Sequence, residues 1–227
     1  MAVQFPPVAL FDLDGTLLDS APDMLATANR MLAARGRPPL ALAQLRQHVS
    51  KGARAMIGAS FPELDAAARE ALVPEFLAVY REELGRHGRL FDGVDALLEA
   101  LEGAGTRWGI VTNKPEYLAR EVVAGLGWGQ RCAVLVGGDT FPEKKPHPMP
   151  LLEAARRLGT EPARCVYVGD DERDVVAARG AGMPSIAALW GYRLDGEDPA
   201  AWRADVLAAR PRELLDPARW PRVRAAA

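Results

Sequence analysis

Cysteine and histidine are scarce here: the 227 residues include two of the first and three of the second. Two thiols, Cys132 and Cys165, make no disulfide framework, and each lies in an apolar stretch where a buried, reduced side chain is expected. No Cys/His spacing suits zinc, and His48, His87 and His147 are too scattered to act as a set. No apolar run approaches the roughly 18 residues that would suggest a membrane span. Neither sign of charge dominates: 28 basic residues face 30 acidic ones, for a net charge of −2. That balance gives no basic surface for nucleic acid or an anionic membrane. The first residues, Met1-Ala-Val-Gln-Phe-Pro-Pro7, lack the basic start and apolar stretch of a signal peptide, so a cytoplasmic location is expected. Two catalytic signatures are missing as well. Without a Gly-x-Ser-x-Gly turn there is no support for a serine hydrolase, and without a Gly-x-x-x-x-Gly-Lys-Ser/Thr loop none for a nucleotide cradle.

What is present is alternation. Short apolar runs at residues 8–12, 108–112, 132–136, 165–168 and 185–188 read as strands buried on both faces. Amphipathic stretches at about 94–102, 116–124, 149–158 and 174–181 read as the helices between them, three of them followed by Gly103, Gly159 or Gly182 as stops. This βαβα order predicts a doubly wound α/β fold with a parallel sheet. A last short strand at 204–207 and a helical tail are expected to close the chain. From about residue 22 to 88 only helical patterns occur, punctuated by Gly36, Pro38, Gly52, Gly58 and Pro62. The expected division is therefore a core of residues 1–20 plus 89–227 and an inserted α-helical cap of residues 21–88. An insert rooted beside the first strand would lie over whatever that strand presents, as a lid does.

Four polar clusters close predicted strands or open predicted helices. Asp12-Leu13-Asp14-Gly15-Thr16 puts two carboxylates at a strand's C-terminal end, where burial without a cation or a shared proton costs several kcal/mol. Thr112-Asn113-Lys114-Pro115 offers a hydroxyl and backbone N–H groups to a phosphoryl oxygen; taken alone, it reads first as ordinary helix capping. Glu143-Lys144-Lys145-Pro146 holds a lysine able to neutralise a phosphate and a carboxylate; alone, it is a surface loop. Gly169-Asp170-Asp171-Glu172-Arg173-Asp174 is acidic enough for a hard cation such as Mg²⁺, or for the positive end of a helix. Each signal alone is weak. All four converge on one edge of the predicted sheet, and that convergence points to phosphoryl chemistry.

These clusters, in this order and spacing, resemble the four motifs of the haloacid dehalogenase superfamily, and the match runs through the whole chain. The resemblance implies a Rossmann-like core and a helical cap. It also implies an Mg²⁺-dependent phosphomonoester hydrolase that works through an aspartyl-phosphate. Asp12 would be the nucleophile and a metal ligand; Asp14 the acid/base, its backbone carbonyl on the metal. Gly15, Thr16, Thr112 and Asn113 would join Asp12 and Lys145 around the phosphate. Lys145 would offset charge, and Asp170 and Asp174 would complete the metal site. The superfamily's dehalogenases lack the second aspartate, so Asp14 argues for phosphoryl transfer.

Local features carry the resemblance further. Within the superfamily the chain resembles the phosphoglycolate phosphatase group. Gly52-Ala-Arg-Ala-Met56, Trp108-Gly-Ile-Val-Thr-Asn-Lys-Pro115, Gly169-Asp-Asp-Glu-Arg-Asp174 and Trp190-Gly-Tyr192 resemble segments of a neighbour in that group, the N-acetylmuramic acid 6-phosphate phosphatases. The expected substrate is a small phosphate monoester of that kind, with Lys51 and Arg54 of the cap reaching its carboxylate. A β-phosphoglucomutase-like mutase and a non-catalytic phosphometabolite-binding protein are the alternatives. A monomer and a homodimer are both compatible with the sequence.

Overall fold

The apolar run at residues 8–11 becomes β1 (Val8–Phe11), wholly buried, and its alternating side chains feed two different cores. Ala9 and Phe11 pack with Trp108, Ile110, Val166 and Val168 on one face; Val8 and Leu10 pack with Val111, Cys165 and Tyr167 on the other. Burial on both faces is why the strand shows no polar alternation. The computed structural model describes residues 4–223.

After β1 the chain makes a tight loop and a short strand, β2 (Leu18–Asp19), then enters five helices. These are α1 (Ala21–Ala33), α2 (Leu42–Arg46), α3 (Ala53–Ser60), α4 (Ala66–Ala71) and α5 (Val73–Glu83). The chain returns through β3 (Arg89–Leu90), which pairs antiparallel with β2. Alternating elements follow: α6 (Val94–Gly103), β4 (Arg107–Val111), α7 (Glu116–Gly125), β5 (Leu135–Val136), α8 (Met149–Arg157), β6 (Cys165–Gly169), α9 (Glu172–Gly180), β7 (Ser185–Ala188) and β8 (Val206–Ala208).

The main sheet runs β5-β4-β1-β6-β7-β8, with every neighbouring pair parallel. From β1 the chain goes outward through β4 and β5, then crosses to build β6, β7 and β8 on the opposite side. β1 is thus the point where strand order reverses, and α/β folds bind ligands outside the carboxyl ends of the strands at that point. The expected parallel α/β architecture is what forms.

The five helices build an apolar cluster of their own, centred on Met31, Leu45, Ile57, Phe61 and Phe76, and Leu118 and Tyr192 of the sheet unit pack into it. Asp23, buried in α1, ties the two ends of this excursion. Its carboxylate accepts from the backbone N–H of Gly85 (3.0 Å), His87 (2.6 Å) and Gly88 (3.0 Å).

Three expectations shift. The run at 132–136 pairs as a strand only at Leu135–Val136, and Cys132 lies before it, half-buried. The final strand starts at Val206, two residues later than expected, and the tail forms short 3₁₀ turns in place of a helix. β2 and β3 lie outside the expected strands. Both cysteines are free, and burial pushes each thiol up to about 11, which keeps them protonated and unreactive.

Candidate active site

The carboxyl ends of β4, β1 and β6 lie side by side, and each ends in a polar cluster. Backbone bonds fix the sheet edge there: Asp12 N–H donates to Val168 O (2.9 Å) and Thr112 N–H to Val136 O (2.9 Å). From this edge Asp12, Asp170 and Asp174, all buried, each bring one carboxylate oxygen within 4.8 Å of the others.

One cation sits among them. Lys145 Nζ lies 3.0 Å from Asp12 Oδ1 and 2.7 Å from Asp174 Oδ1, and donates to the Tyr167 hydroxyl at 2.6 Å. Tyr167 in turn donates to Val111 O at 2.7 Å, so the lysine is braced against β4 and β6 together. Burial alone would strip the proton from Lys145. The Asp12 and Asp174 carboxylates outweigh burial and hold the ammonium charged.

The carboxylates feel the opposite balance. Burial, reinforced by Asp12 and Asp174, holds Asp170 well above the ordinary carboxylate range. Burial pushes Asp174 up to about 6, with Lys145 restraining the rise. Three carboxylates against one ammonium leave the cluster short of positive charge. Asp12 Oδ1, moreover, is a buried oxygen with no hydrogen-bond partner, although Lys145 is near. A divalent cation fits both features: oxygen donors suit Mg²⁺, and its charge would balance the excess.

Glycines let the walls close on Asp170. Gly15 has φ +90°, and a Cβ there would lie 2.2 Å from Asp170 Oδ2; one on Gly191 would lie 2.2 Å from Asp170 Cβ. Asp170 accepts from Thr16 Oγ1 (3.0 Å), Ser50 Oγ (2.7 Å) and Tyr192 N–H (2.8 Å). Thr16 therefore stands beside the metal-type cluster.

Asp14 points elsewhere. Its carboxylate is outside the three-aspartate group and pairs with Lys114 Nζ at 3.1 Å and 3.2 Å. Thr112 and Asn113 do not cap α7. That helix starts after Pro115, and Asp139 accepts from its first N–H, on Glu116, at 2.7 Å. Asn113 instead donates to Lys145 O (2.9 Å) and leaves its own Oδ1 buried and unpartnered.

Asp12, Asp14, Thr112, Asn113 and Lys114 line one side of a cavity of about 370 Å³. Met24, Val49, Met56, Phe76, Leu77 and Tyr80 of the helical block form an apolar wall across from them. Lys51 and Arg54 border the same cavity, but neither offers it a free charge. Lys51 Nζ bridges Asp171 (2.8 Å) and Glu197 (2.7 Å), while Arg54 forks onto Glu70 at the surface. Against the upward push of burial, Arg173 and then Lys51 hold Asp171 low, at about 2, and Arg173 also donates to Ser50 O. Lys144, exposed at the rim, has no ion-pair partner among the described residues.

No role for Lys114, Tyr80, Ser50 or Tyr167 is legible in the sequence: Lys114 sits inside the Thr112–Pro115 cluster, and the others carry no local signal.

Residues 9–188 match the family described as haloacid dehalogenase-like hydrolase. A phosphoglycolate phosphatase from Xanthomonas campestris is 65% identical over 219 residues, covering 96% of this chain and 99% of that protein. An N-acetylmuramic acid 6-phosphate phosphatase from Pseudomonas aeruginosa is 46% identical over 208 residues, covering 91% and 92%. The crystal structure of a predicted phosphoglycolate phosphatase from Haemophilus somnus superposes with a TM-score of 0.82 at 27% identity, covering 95% and 98%.

Proposed function

The chain belongs to the haloacid dehalogenase-like hydrolases, and from that premise we propose that it is an Mg²⁺-dependent phosphomonoesterase with Asp12 as its nucleophile. One observation carries the reading. Asp12 lines the cavity while its Oδ1 sits beside Lys145, the single ammonium set among three buried carboxylates.

A carboxylate attacks a phosphate dianion only if the repulsion between them is suppressed. Lys145 supplies one positive charge at the nucleophile. Asp12, Asp170 and Asp174 would hold the metal, with the Asp14 carbonyl, and bound Mg²⁺ would supply the rest of the charge neutralisation. Thr112, Asn113, Gly15 and Thr16 would receive the phosphoryl oxygens. Asp12 then bonds to phosphorus as the ester oxygen leaves, and Asp14 delivers a proton to that oxygen. The emptied Asp14 carboxylate next takes a proton from water as the water attacks the aspartyl-phosphate, which returns Asp12 and releases inorganic phosphate.

In this reading residues 1–20 and 89–227 are the catalytic core and residues 21–88 the cap that selects the ester. A cavity of about 370 Å³ with an apolar wall is more space than a two-carbon ester fills. Of the two substrates named for the relatives, its size favours the larger, N-acetylmuramic acid 6-phosphate, over 2-phosphoglycolate. Arg54 is the better placed of the two expected carboxylate binders, because its pair with Glu70 is exposed and easily exchanged, whereas Lys51 is doubly held.

The test is phosphate release, with and without Mg²⁺, from these two esters and a panel of sugar phosphates. Metal-dependent release with a preference of about tenfold or more for one ester supports the reading. Turnover that moves the phosphoryl group within a sugar, without free phosphate, would mean a mutase.

A further inference from the structure

Lys114 is the one buried cation at the cavity whose partner is Asp14. Its side chain is 3% exposed, and its ammonium meets two other parts of the chain. It donates to both oxygens of Asp14 in the loop after β1, at 3.1 Å and 3.2 Å, from its own place in the loop after β4. It also donates to the hydroxyl of Tyr80 on α5 and lies 4.3 Å from the centre of that ring. A buried ammonium needs such partners, and this one has them on every side. Asp14, in contrast, has no other side-chain hydrogen-bond partner among the described residues. What fixes the direction of its carboxylate is therefore Lys114.

We propose that Lys114 is a positioning residue for Asp14, and that Tyr80 makes this hold depend on the helical block being seated over the site. The inference rests on the acid/base role of Asp14 proposed above. An acid/base accelerates the reaction only if its oxygen is within hydrogen-bond reach of the leaving oxygen. Asp14 lies outside the Asp12, Asp170 and Asp174 group and borders the cavity, so its oxygens are on the leaving-group side. Lys114 holds them there. Tyr80 belongs to the block's own apolar cluster and moves with it. Lifting the block takes the phenol away from Lys114 and frees the ammonium to swing off Asp14. Alignment of the acid/base thus comes with closure over a substrate.

The test compares two esters of similar shape, phenyl phosphate and p-nitrophenyl phosphate, with the Mg²⁺-loaded enzyme. Phenolate is the poorer leaving group and needs the proton; p-nitrophenolate scarcely does. Asp14→Asn sets the reference and is expected to lose far more kcat/KM, which reports the step that expels the leaving group, on phenyl phosphate. Lys114→Met is expected to reproduce this split, with a loss at least about tenfold greater on phenyl phosphate. Lys114→Arg should recover most of it, and Tyr80→Phe should show the same split at smaller size. Equal losses of kcat/KM by Lys114→Met on both esters, or wild-type kinetics, would each overturn the proposal and leave the role of Asp14 standing. If Lys114→Met fails to fold, Tyr80→Phe decides: the split supports the proposal, and its absence refutes it. No split in Asp14→Asn itself would remove the acid/base reading, and the proposal with it.

Discussion

Exchanging Asp174 for asparagine keeps the shape of the side chain and its contact with Lys145 but removes a buried charge, and the cost of that charge follows from the site. The carboxyl is nearly inaccessible, and burial raises it from an ordinary 3.8 to about 6 in the folded protein. Between those values the folded chain keeps a proton that the unfolded chain has released. The group therefore favours folding at low pH, and that advantage disappears as pH rises through about 6. A shift of about two units corresponds to roughly 3 kcal/mol, or about 6–12 °C in Tm for a chain of this size. Asp170 is displaced in the same direction and adds to the effect. Asp171, held down at about 2, acts with the opposite sign at lower pH, outside this window. Mg²⁺ would bind the charged carboxylates, so its stabilising effect should grow over the same range in which the metal-free protein weakens. The assay is thermal unfolding of wild type and Asp174→Asn between about pH 5 and pH 8, with and without Mg²⁺. Relative to wild type, the variant should gain stability as pH rises in the absence of metal and should lose most of the Mg²⁺ response. A pH-independent difference between the two proteins, or an Mg²⁺ shift that is equal in both, would refute the reasoning.

Other perturbations act on separate parts of the structure. Gly15→Ala places a Cβ 2.2 Å from Asp170 Oδ2 at φ +90°, so the loop must move; loss of phosphatase activity by more than about tenfold is expected, and near-normal turnover would contradict the packing. Asp23→Ala leaves three backbone N–H groups without their acceptor and should cost about 2–3 kcal/mol, read as a lower urea midpoint with the slope unchanged. Lys51→Met breaks the bridge from the helical block to Asp171 and Glu197. Faster amide exchange across residues 46–52 is expected, and unchanged exchange would mean that other contacts hold this segment.

Much of this architecture is legible in the sequence because burial writes itself into it. β1, β4, β6 and β7 are buried almost throughout, and their unbroken apolar runs announce a parallel sheet. The residue types at their ends could be listed, but their partners could not. Thr112 and Asn113 look like helix caps until Asp139 is seen bound to the first N–H of α7. Lys114 looks like a solvated lysine, since its partners lie 100 and 34 residues away in sequence. Lys51 looks like a free substrate clamp for the same reason: Asp171 and Glu197 meet it only across the interface between helices and sheet. β2 and β3 have two residues each, too few for any periodicity to show. The run at 132–136 is apolar because its side chains join the core clusters on both faces of the sheet, yet just two of its residues form a strand paired with β4.

The central claim is that phosphorus is transferred first to Asp12. The direct measurement is peptide mapping by mass spectrometry of the Mg²⁺-loaded Asp14→Asn variant, quenched in acid during turnover of its best ester. With the second half-reaction slowed, the phosphoryl group should be found on the peptide containing Asp12, and at Asp12 within it. A phosphoryl group on another residue, or none under conditions where phosphate is still being released, would contradict the account.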